Sequence, residues 1–442
     1  MDNQLGIKWV SIQPLTGGMY LGFRKIFGND AECIISYKGL NTYTEIKRKE
    51  GSTDLRGKCG NEYNLSKYLS DKGWSVPRFE FANANSVMDN LYNEDGEIIL
   101  ENTLGGKYNA ANMFNNDIDV VCAVPICSGL STLTTADTET RECRNNNMFN
   151  ILDFVVKFIK PKVYIFENAP QLLSSRGEDV RLTIQQMAMD NNYSVTYFKT
   201  DSKFHHNCQR RVRSFVMLVR DDYHLGTPLF DNYEHITLTP KEMFESISEN
   251  AQYNCSFPKP LFENIISMNW AISKFPDTWR ELFKRDFITE LRKRDLVNDF
   301  IDYCKQVNDS MSLKMMAYVN KILNCLDENK GWWIKTPKSY DDLMPAVQSK
   351  TLFSTIHPYE DRLLSEREHM KLMGLPDDFN MQGNFNTCCR QISQNVPVNT
   401  AAWMAQTAYE VLKNWNNKDK YSGYIVSCYD NTTMTEIESF RR

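Results

Sequence analysis

The 442-residue chain lacks long apolar runs. Nowhere do about eighteen apolar residues follow one another, and the opening MDNQLGIKWVSIQPL has no basic segment ahead of an apolar stretch. The sequence therefore predicts neither a membrane-spanning helix nor an export signal. The expectation that follows is a cytoplasmic protein without a membrane partner.

Cysteine pairs at zinc spacing are also missing. The twelve cysteines are scattered along the chain, and no two CxxC pairs accompany each other. This distribution favours free thiols in a reducing compartment. We therefore expect no metal site.

The chain has no excess of positive charge. Its formal net charge of -5 argues against a uniformly basic nucleic-acid binder, because phosphate contacts need clustered Lys and Arg. Basic residues do cluster in residues 205–213 and 279–295, although the second cluster fits a solvated helix face as well. With 42% hydrophobic and 24% charged residues the composition is that of a globular protein, and the length suggests two or three domains.

Residues 145–160 have the pattern of an amphipathic helix that stops before Pro161. The apolar residues at helical spacing are Met148, Ile151, Leu152, Val155 and Ile159. Short runs rich in β-branched residues, DIDVVCAV and VYIF, flank this segment, and strand, helix, strand is the unit of a parallel sheet. Further strand candidates are IKWVSI, CIISY and SFVMLV. Together they predict an open, doubly wound α/β domain.

The texture of the sequence changes near residue 223. From there to residue 350, polar and charged helical patterns follow one another without alternating strands. We interpret residues 1–222 as the first part of a catalytic domain, 223–350 as an inserted domain, 351–414 as a return segment of the catalytic domain, and 415–442 as a polar tail.

Reactive side chains follow the predicted strands, where ligands bind in open α/β sheets. Cys127 lies in PICSGLS after the first strand of the unit, Glu167-Asn168 ends the second, and Gln209-Arg210-Arg211-Val212-Arg213 comes later. Each signal alone is weak, since a lone Cys is commonly a small buried hydrophobe. The order of all three is more specific.

This ordered set resembles the cytosine-5 DNA methyltransferase family. The resemblance begins with the glycine loop PLTGGMYLGF, continues through the three blocks above, and ends with residues 357–379 and 390–408. It covers about residues 7–220 and 350–412. It implies a Rossmann-like, S-adenosylmethionine-dependent methyltransferase domain with an inserted, mainly helical target-recognition domain. The implied partner is double-stranded DNA, bound by a monomer.

The resemblance also assigns chemical roles. Carbon 5 of cytosine is a poor nucleophile until a thiolate, here that of Cys127, adds at carbon 6. Glu167, in the Glu167-Asn168 block, would stabilise the adduct by protonating nitrogen 3 of the cytosine or donating a hydrogen bond to it. This requires that burial keeps the pKa of the Glu167 carboxyl group high. Arg213 would hold the cytosine carbonyl oxygen, and Arg211 would brace the nucleophile loop and lower the pKa of Cys127.

On the cofactor side the last block is expected to fold back beside the glycine loop. The residues implied to bind S-adenosylmethionine are Gln13, Leu15, Thr16, Gly17, Gly18, Met19, Tyr37, Asn83, Pro125 and Asn395. Those expected to contact DNA are Ser128, Gln209, Arg280, Lys284 and Arg285. Gln13 and Leu15 stand where the family has an aromatic residue and a glycine, and no acidic residue follows the strand at CIISY.

Two other functions stay open. One branch of the resembled family acts on transfer RNA, so an RNA cytosine-5 methyltransferase has the same scaffold. A non-catalytic DNA-binding relative would fit the altered cofactor loop, although it would not need Cys127, Glu167 and both arginines.

Overall fold

The computed structural model describes residues 6–44, 58–115, 117–126, 129–130, 138–220, 236–253, 266–307, 320, 324, 338–340, 342–349, 354–415, 426–430 and 435–440. The strands are β1 (Trp9–Ile12), β2 (Cys33–Ser36), β3 (Tyr43–Thr44), β4 (Lys58–Cys59), β5 (Arg78–Phe81), β6 (Ile99–Asn102), β7 (Lys107–Asn109), β8 (Val120–Ala123), β9 (Val163–Asn168), β10 (Tyr193–Asp201), β11 (His205–Asn207), β12 (Gln209–Arg210), β13 (Val212–Arg220), β14 (Ile236–Thr237), β15 (Met344–Pro345), β16 (Val426–Asp430) and β17 (Thr435–Phe440).

The α-helices are α1 (Gly18–Phe27), α2 (Tyr63–Asp71), α3 (Ala110–Met113), α4 (Thr138–Phe154), α5 (Glu178–Asp190), α6 (Pro240–Glu245), α7 (Glu249–Tyr253), α8 (Ile266–Lys274), α9 (Phe287–Lys293), α10 (Val297–Val307), α11 (Glu366–Leu372), α12 (Phe385–Gln394) and α13 (Val398–Lys413). Short 3₁₀ turns occupy Pro170–Leu173, Ser175–Gly177, Ser202–Phe204 and Trp279–Phe283, and a π-helical turn continues α4 at Val155–Ile159. Within these described helices, no segment is both long and apolar enough to cross a membrane.

Eleven of the described strands form one sheet in the order β17-β16-β10-β13-β9-β8-β1-β2-β5-β6-β7. The central strands β9, β8, β1, β2 and β5 are parallel, whereas β13 runs antiparallel to both β9 and β10. The chain proceeds outward from β1 in one direction and then returns to β8 on its other side. The carboxyl ends of β1 and β8 therefore flank the switch point at which ligands bind in such sheets. The expected Rossmann-like architecture is confirmed.

Both faces of the central sheet are covered by helices. Trp9 and Val120 pack into a core cluster with α1 and α13, while their neighbours Val10 and Val121 pack into a second cluster with α4 and α5. Strands buried on both faces read as continuous apolar runs, which is why β1, β8 and β9 were recognisable in the sequence.

The amphipathic helix predicted over residues 145–160 is confirmed, and all five of its apolar residues are buried. It starts earlier than predicted, at Thr138. Lys160 ends it in a left-handed conformation, with φ 51°, directly before Pro161.

The described part of residues 223–350 is mainly helical, as expected. Helices α8 to α10 enclose an aromatic core of their own around Trp270, Phe287 and Phe300, to which Ile356 and Leu363 of the return segment contribute. The earlier helix α6 packs on the core of the sheet domain instead. The domain boundaries at 223 and 350 stay predictions.

The two ends of the sheet differ from the sequence interpretation. The sequence predicts a polar tail over residues 415–442, whereas in the structure β16 pairs in parallel with β10, and β17 pairs antiparallel with β16. At the opposite end, β6 and β7 form a hairpin that adds two antiparallel strands beyond β5.

Candidate active site

Glu167 and Arg213 meet at the junction of β9 and β13. The antiparallel register sets Glu167 opposite Phe215, so Arg213 is a diagonal neighbour within side-chain reach. Arg213 Nε lies 2.8 Å from Glu167 Oε1, and Glu167 is only 4% exposed. A buried carboxyl group and a guanidinium group thus share the carboxyl end of β9.

Burial dominates the titration of Glu167. It raises the pKa of the carboxyl group above its ordinary value, although the positive charges of Arg213 and Arg211 act in the opposite direction. The carboxyl group therefore keeps a proton at a higher pH than an exposed glutamate does. Such a group can protonate, or donate a hydrogen bond to, a weakly basic nitrogen.

Arg211 is buried and joins three parts of the chain. Its Nη1 donates to the Val347 carbonyl oxygen at 2.9 Å, and its Nη2 donates to the carbonyl oxygens of Ser393 and Asn395 at 2.7 and 3.0 Å. The predicted bracing of the nucleophile loop involves Cys127, which lies outside the described residues. Arg211 therefore has an observed anchoring role on the last block, and its effect on Cys127 stays a prediction.

Gln209 is buried as well. Its Nε2 donates to the Leu372 carbonyl oxygen at 2.7 Å, and its Oε1 accepts from the Val347 N–H at 3.0 Å. Both ends of the amide are therefore used within the protein. The predicted DNA contact of Gln209 is untested and would require these bonds to rearrange.

The nucleophile loop follows β8, and its first residues are described. Cys127 and Ser128 lie outside the described residues, whereas Pro125 is buried and the Ile126 N–H donates to Asn147 Oδ1 at 2.8 Å. The sequence interpretation missed Asn147. It could have been found as a polar residue four positions before Ile151, on the buried face of the predicted helix.

The glycine loop between β1 and α1 has an unusual backbone. Gln13 and Leu15 adopt φ values of 51° and 53°, in the left-handed region that favours glycine, and Gly17 has φ 107°. Leu15 thus takes the conformation that explains a glycine at this position in the family. A Cβ on Gly18 would overlap the Val396 carbonyl oxygen.

The last block closes over this loop, as expected. Thr16 Oγ1 donates to the Gln391 carbonyl oxygen at 2.9 Å, and the Gly18 N–H donates to Asn395 Oδ1 at 2.7 Å. Met19 lies in the adjacent core. Among the described residues, Asn395 Nδ2 and the buried Gln13 Oε1 have no hydrogen-bond partner. Beside this loop the described residues thus leave one buried donor and one buried acceptor without a partner, which fits a polar ligand such as a cofactor there.

The other predicted cofactor residues lie after β2 and β5. Tyr37 is buried, with its ring 5.1 Å from that of Phe81 and its hydroxyl accepting from Asn147 Nδ2 at 3.0 Å. Asn83 is exposed. Lys38 Nζ donates to the Ala82 carbonyl oxygen at 2.8 Å, so a cation and not an acid follows Tyr37 after β2.

A buried acid nevertheless lies at the end of β2. Glu62, directly before α2, accepts a hydrogen bond from Ser36 Oγ and lies 3.5 Å from Arg78 Nη1. Burial raises the pKa of Glu62 to about 7. No local motif marks this residue, because it comes to Ser36 from another segment of the chain.

The basic residues of the insert have different surroundings. Arg280 donates to the carbonyl oxygens of His357 and Glu360 at 2.6 and 2.8 Å, and so joins the insert to the return segment. Lys284 Nζ lies 2.7 Å from Glu281 Oε1, and Arg285 is exposed. Across the described part of the chain, no three His, Cys, Asp or Glu side chains are grouped so as to hold a metal ion.

The sheet order and the glycine loop define the Rossmann-like fold of methyltransferases, with the buried Glu167–Arg213 pair at the carboxyl end of β9. The family model for C-5 cytosine-specific DNA methylases matches residues 93–410. This chain belongs to that family.

Similar proteins agree with this assignment. A proposed type II methyltransferase of Methanocaldococcus jannaschii is 23% identical over 308 residues, which cover 68% of this chain and 67% of the relative. A second one from the same organism is 44% identical over 67 residues, 15% of this chain and 20% of the relative. A crystal structure of a proposed DNA modification methyltransferase encoded within an E. coli prophage has the same fold, with a TM-score of 0.52 and 14% identity over 92% of this chain and 99% of that one.

Proposed function

We propose that this protein transfers a methyl group from S-adenosylmethionine to carbon 5 of a cytosine flipped out of double-stranded DNA, through a covalent adduct with Cys127. The observation that carries the proposal is the buried Glu167 carboxyl group, whose pKa is raised while Arg213 lies within 2.8 Å of it. A cytosine ring presents a weakly basic nitrogen beside a carbonyl oxygen. An acid next to a fixed cation is complementary to that edge.

The proposed reaction begins with addition of the Cys127 thiolate to carbon 6 of the ring. The electron pair of the carbon 5–carbon 6 double bond moves towards nitrogen 3, where the Glu167 proton stabilises it, and Arg213 holds the carbonyl oxygen. Carbon 5 would then take the methyl group that bound S-adenosylmethionine supplies, with the electron pair of the broken carbon–sulfur bond left on the departing thioether, and the nitrogen 3 proton would return to Glu167. Loss of the carbon 5 proton to a base expels the Cys127 thiolate and restores the double bond.

The proposed cofactor site uses the groups that the glycine loop leaves unpaired. Gln13 Oε1 and Asn395 Nδ2 would bind polar groups of the cofactor, and Tyr37 would form part of the wall after β2. Because Gly18 N is already bonded to Asn395, the last block and the loop form one preassembled unit. This arrangement supports S-adenosylmethionine binding without an acid directly after β2.

The target base must leave the duplex, since both ring faces have to be reached, at a cost of a few kcal/mol. We assign the compensating DNA contacts to the insert, residues 223–350, whose exposed Arg285 is free of described partners. No observation on the described residues favours RNA over DNA as the substrate. The experiment below therefore includes transfer RNA as a second possible substrate.

The deciding experiment incubates the protein with radiolabelled S-adenosylmethionine and either duplex DNA or transfer RNA. Label should enter DNA with the wild type and not with Cys127→Ala, and 5-fluorocytosine DNA should trap a covalent adduct on Cys127 alone. If label entered transfer RNA and not DNA, the substrate would be RNA and the DNA part of the proposal would be wrong. An adduct of equal yield in the alanine variant would remove Cys127 from its role.

A further inference from the structure

Two neighbouring residues of α4 each contact one of the two segments that carry the proposed catalytic residues, the nucleophile loop and the end of β9. Asn147 accepts from the Ile126 N–H, directly before Cys127, while Met148 Sδ lies 3.2 Å from Asn168 Nδ2, directly after Glu167. The nucleophile loop and the end of β9 are thus both held by side chains at adjacent positions of α4. A helix backbone holds its side chains more rigidly in place than a loop does.

The Asn147 amide can take only one orientation. Its Oδ1 must face the Ile126 N–H, which is a donor, and its Nδ2 must face the Val87 carbonyl oxygen, an acceptor 2.8 Å away. The second amide hydrogen goes to the Tyr37 hydroxyl at 3.0 Å. Asn147 is fully buried, so three groups from three segments depend on a single side chain.

An apolar core residue would satisfy the packing at this position without these bonds. A leucine of similar size would leave the Ile126 N–H, the Val87 carbonyl oxygen and the buried Tyr37 hydroxyl without these hydrogen bonds, which destabilises polar groups that are shielded from water. A buried polar side chain thus stands next to Met148, the helix residue that contacts Asn168. Packing alone does not account for it.

We propose that Asn147 is a positioning residue that aligns the nucleophile loop with Glu167 and couples that alignment to the cofactor side through Tyr37. This inference rests on the proposed function. The described partners of the Asn147 side chain are protein groups, and it acts through the Ile126 N–H on the residue that follows Ile126. Tyr37→Phe removes the cofactor-side contact but leaves the bond to Ile126.

The test compares Asn147→Leu with a matched control on the same helix. Asn150→Leu also removes an amide hydrogen bond, the part-buried one from Asn150 Nδ2 to the Asp89 carbonyl oxygen at 3.1 Å, but this bond does not reach the nucleophile loop. For each variant we would measure Tm, kcat and KM, and the pH profile of Cys127 alkylation by iodoacetamide, followed by peptide mass spectrometry.

We expect Asn147→Leu to lower kcat about 10- to 100-fold with little change in KM for DNA, and to alter the alkylation profile of Cys127. Asn150→Leu should lower Tm but keep the kcat and the Cys127 alkylation profile of the wild type. Tyr37→Phe should raise KM for S-adenosylmethionine while Cys127 alkylation stays normal. Equal kcat and alkylation in the two leucine variants would overturn the proposal. If the wild type transfers no methyl group, the proposed function fails, while the alkylation profiles still decide the role of Asn147.

Discussion

Arg213 Nε lies 2.8 Å from Oε1 of Glu167, yet the pKa of the Glu167 carboxyl group is still raised. The loss of hydration on burial therefore outweighs the attraction of a neighbouring cation. An ion pair meant only for stability would gain little from this arrangement. A carboxyl group that has to exchange a proton with a substrate gains a pKa closer to the working pH.

Glu167→Gln should therefore abolish most of the activity while keeping the fold. The amide fills the same space but cannot deliver a proton, so kcat should fall about 10²- to 10⁴-fold. Stopped-flow or quench kinetics at saturating DNA and cofactor measures this, with Tm as the check on folding. A variant that retained half of the wild-type kcat would show that the carboxyl proton is not used.

Glu62→Gln should stabilise the protein at alkaline pH only. Because burial raises the folded-state pKa of Glu62 to about 7 from 4.5, the folded protein binds this proton more tightly than the unfolded chain does. The free energy of unfolding of the wild type must then fall as pH rises from about 4.5 to 7, by about 3 kcal/mol in total. Arg78 offsets part of the burial cost and Glu80 adds to it.

Urea unfolding at pH 4.5 and pH 8 tests this. The advantage of Glu62→Gln over the wild type should be about 3 kcal/mol larger at pH 8 than at pH 4.5. Gln can still accept the hydrogen bond from Ser36 Oγ. The exposed Glu94→Gln serves as control and should follow the wild type at both pH values. A difference that does not change with pH would mean that Glu62 is ionised at no cost.

Gly22→Ala should loosen the packing of α1 against α13. A Cβ at this position would lie 2.6 Å from both the Ala402 N and the Val398 carbonyl oxygen, and these backbone atoms cannot turn aside. We expect a loss of about 1–3 kcal/mol in the free energy of unfolding, although alanine favours helix. Gly6→Ala, with open space around its Cβ, should be neutral in the same denaturation experiment. Equal stabilities of the two variants would show that the helices can separate at no cost.

The parts of this fold that could be predicted are those with a local signal. β1, β8 and β9 are short apolar runs, and the residues after them carry the recognisable blocks. Helix α4 has apolar residues at helical spacing and a proline after its end. The position of the last block beside the glycine loop followed from the resemblance.

The remaining features depend on contacts between distant segments. Tyr37 and Asn147 are 110 residues apart, and nothing near either one indicates the bond between them. The sequence of β16 alone indicates a polar tail, because the strand is defined by its pairing with the distant strand β10. Arg280 belongs to a basic run whose local pattern cannot tell a phosphate contact from the carbonyl oxygens that it binds in the structure.

The basic residues of the insert should separate into two groups when they are neutralised. Arg280→Gln removes hydrogen bonds to the carbonyl oxygens of His357 and Glu360, so it should lower Tm by weakening the attachment of the insert to the return segment. Replacing Lys284 and Arg285 together by Gln should leave Tm nearly unchanged, because both side chains are exposed. If these two contact phosphates, the double variant should bind all duplexes more weakly and reduce the slope of log K against log salt by about 2.

Fluorescence anisotropy with labelled duplex at several salt concentrations measures the slope, and thermal melts measure Tm. Lys305→Gln, which removes another exposed cation of the insert, is the control for a general loss of charge. An unchanged slope in the double variant, or one matched by Lys305→Gln, would rule out phosphate contacts at Lys284 and Arg285. A guanidinium group that anchors the insert cannot be removed without a loss of stability. A reduced slope in Arg280→Gln with a normal Tm would therefore show that Arg280 contacts DNA and does not anchor the insert.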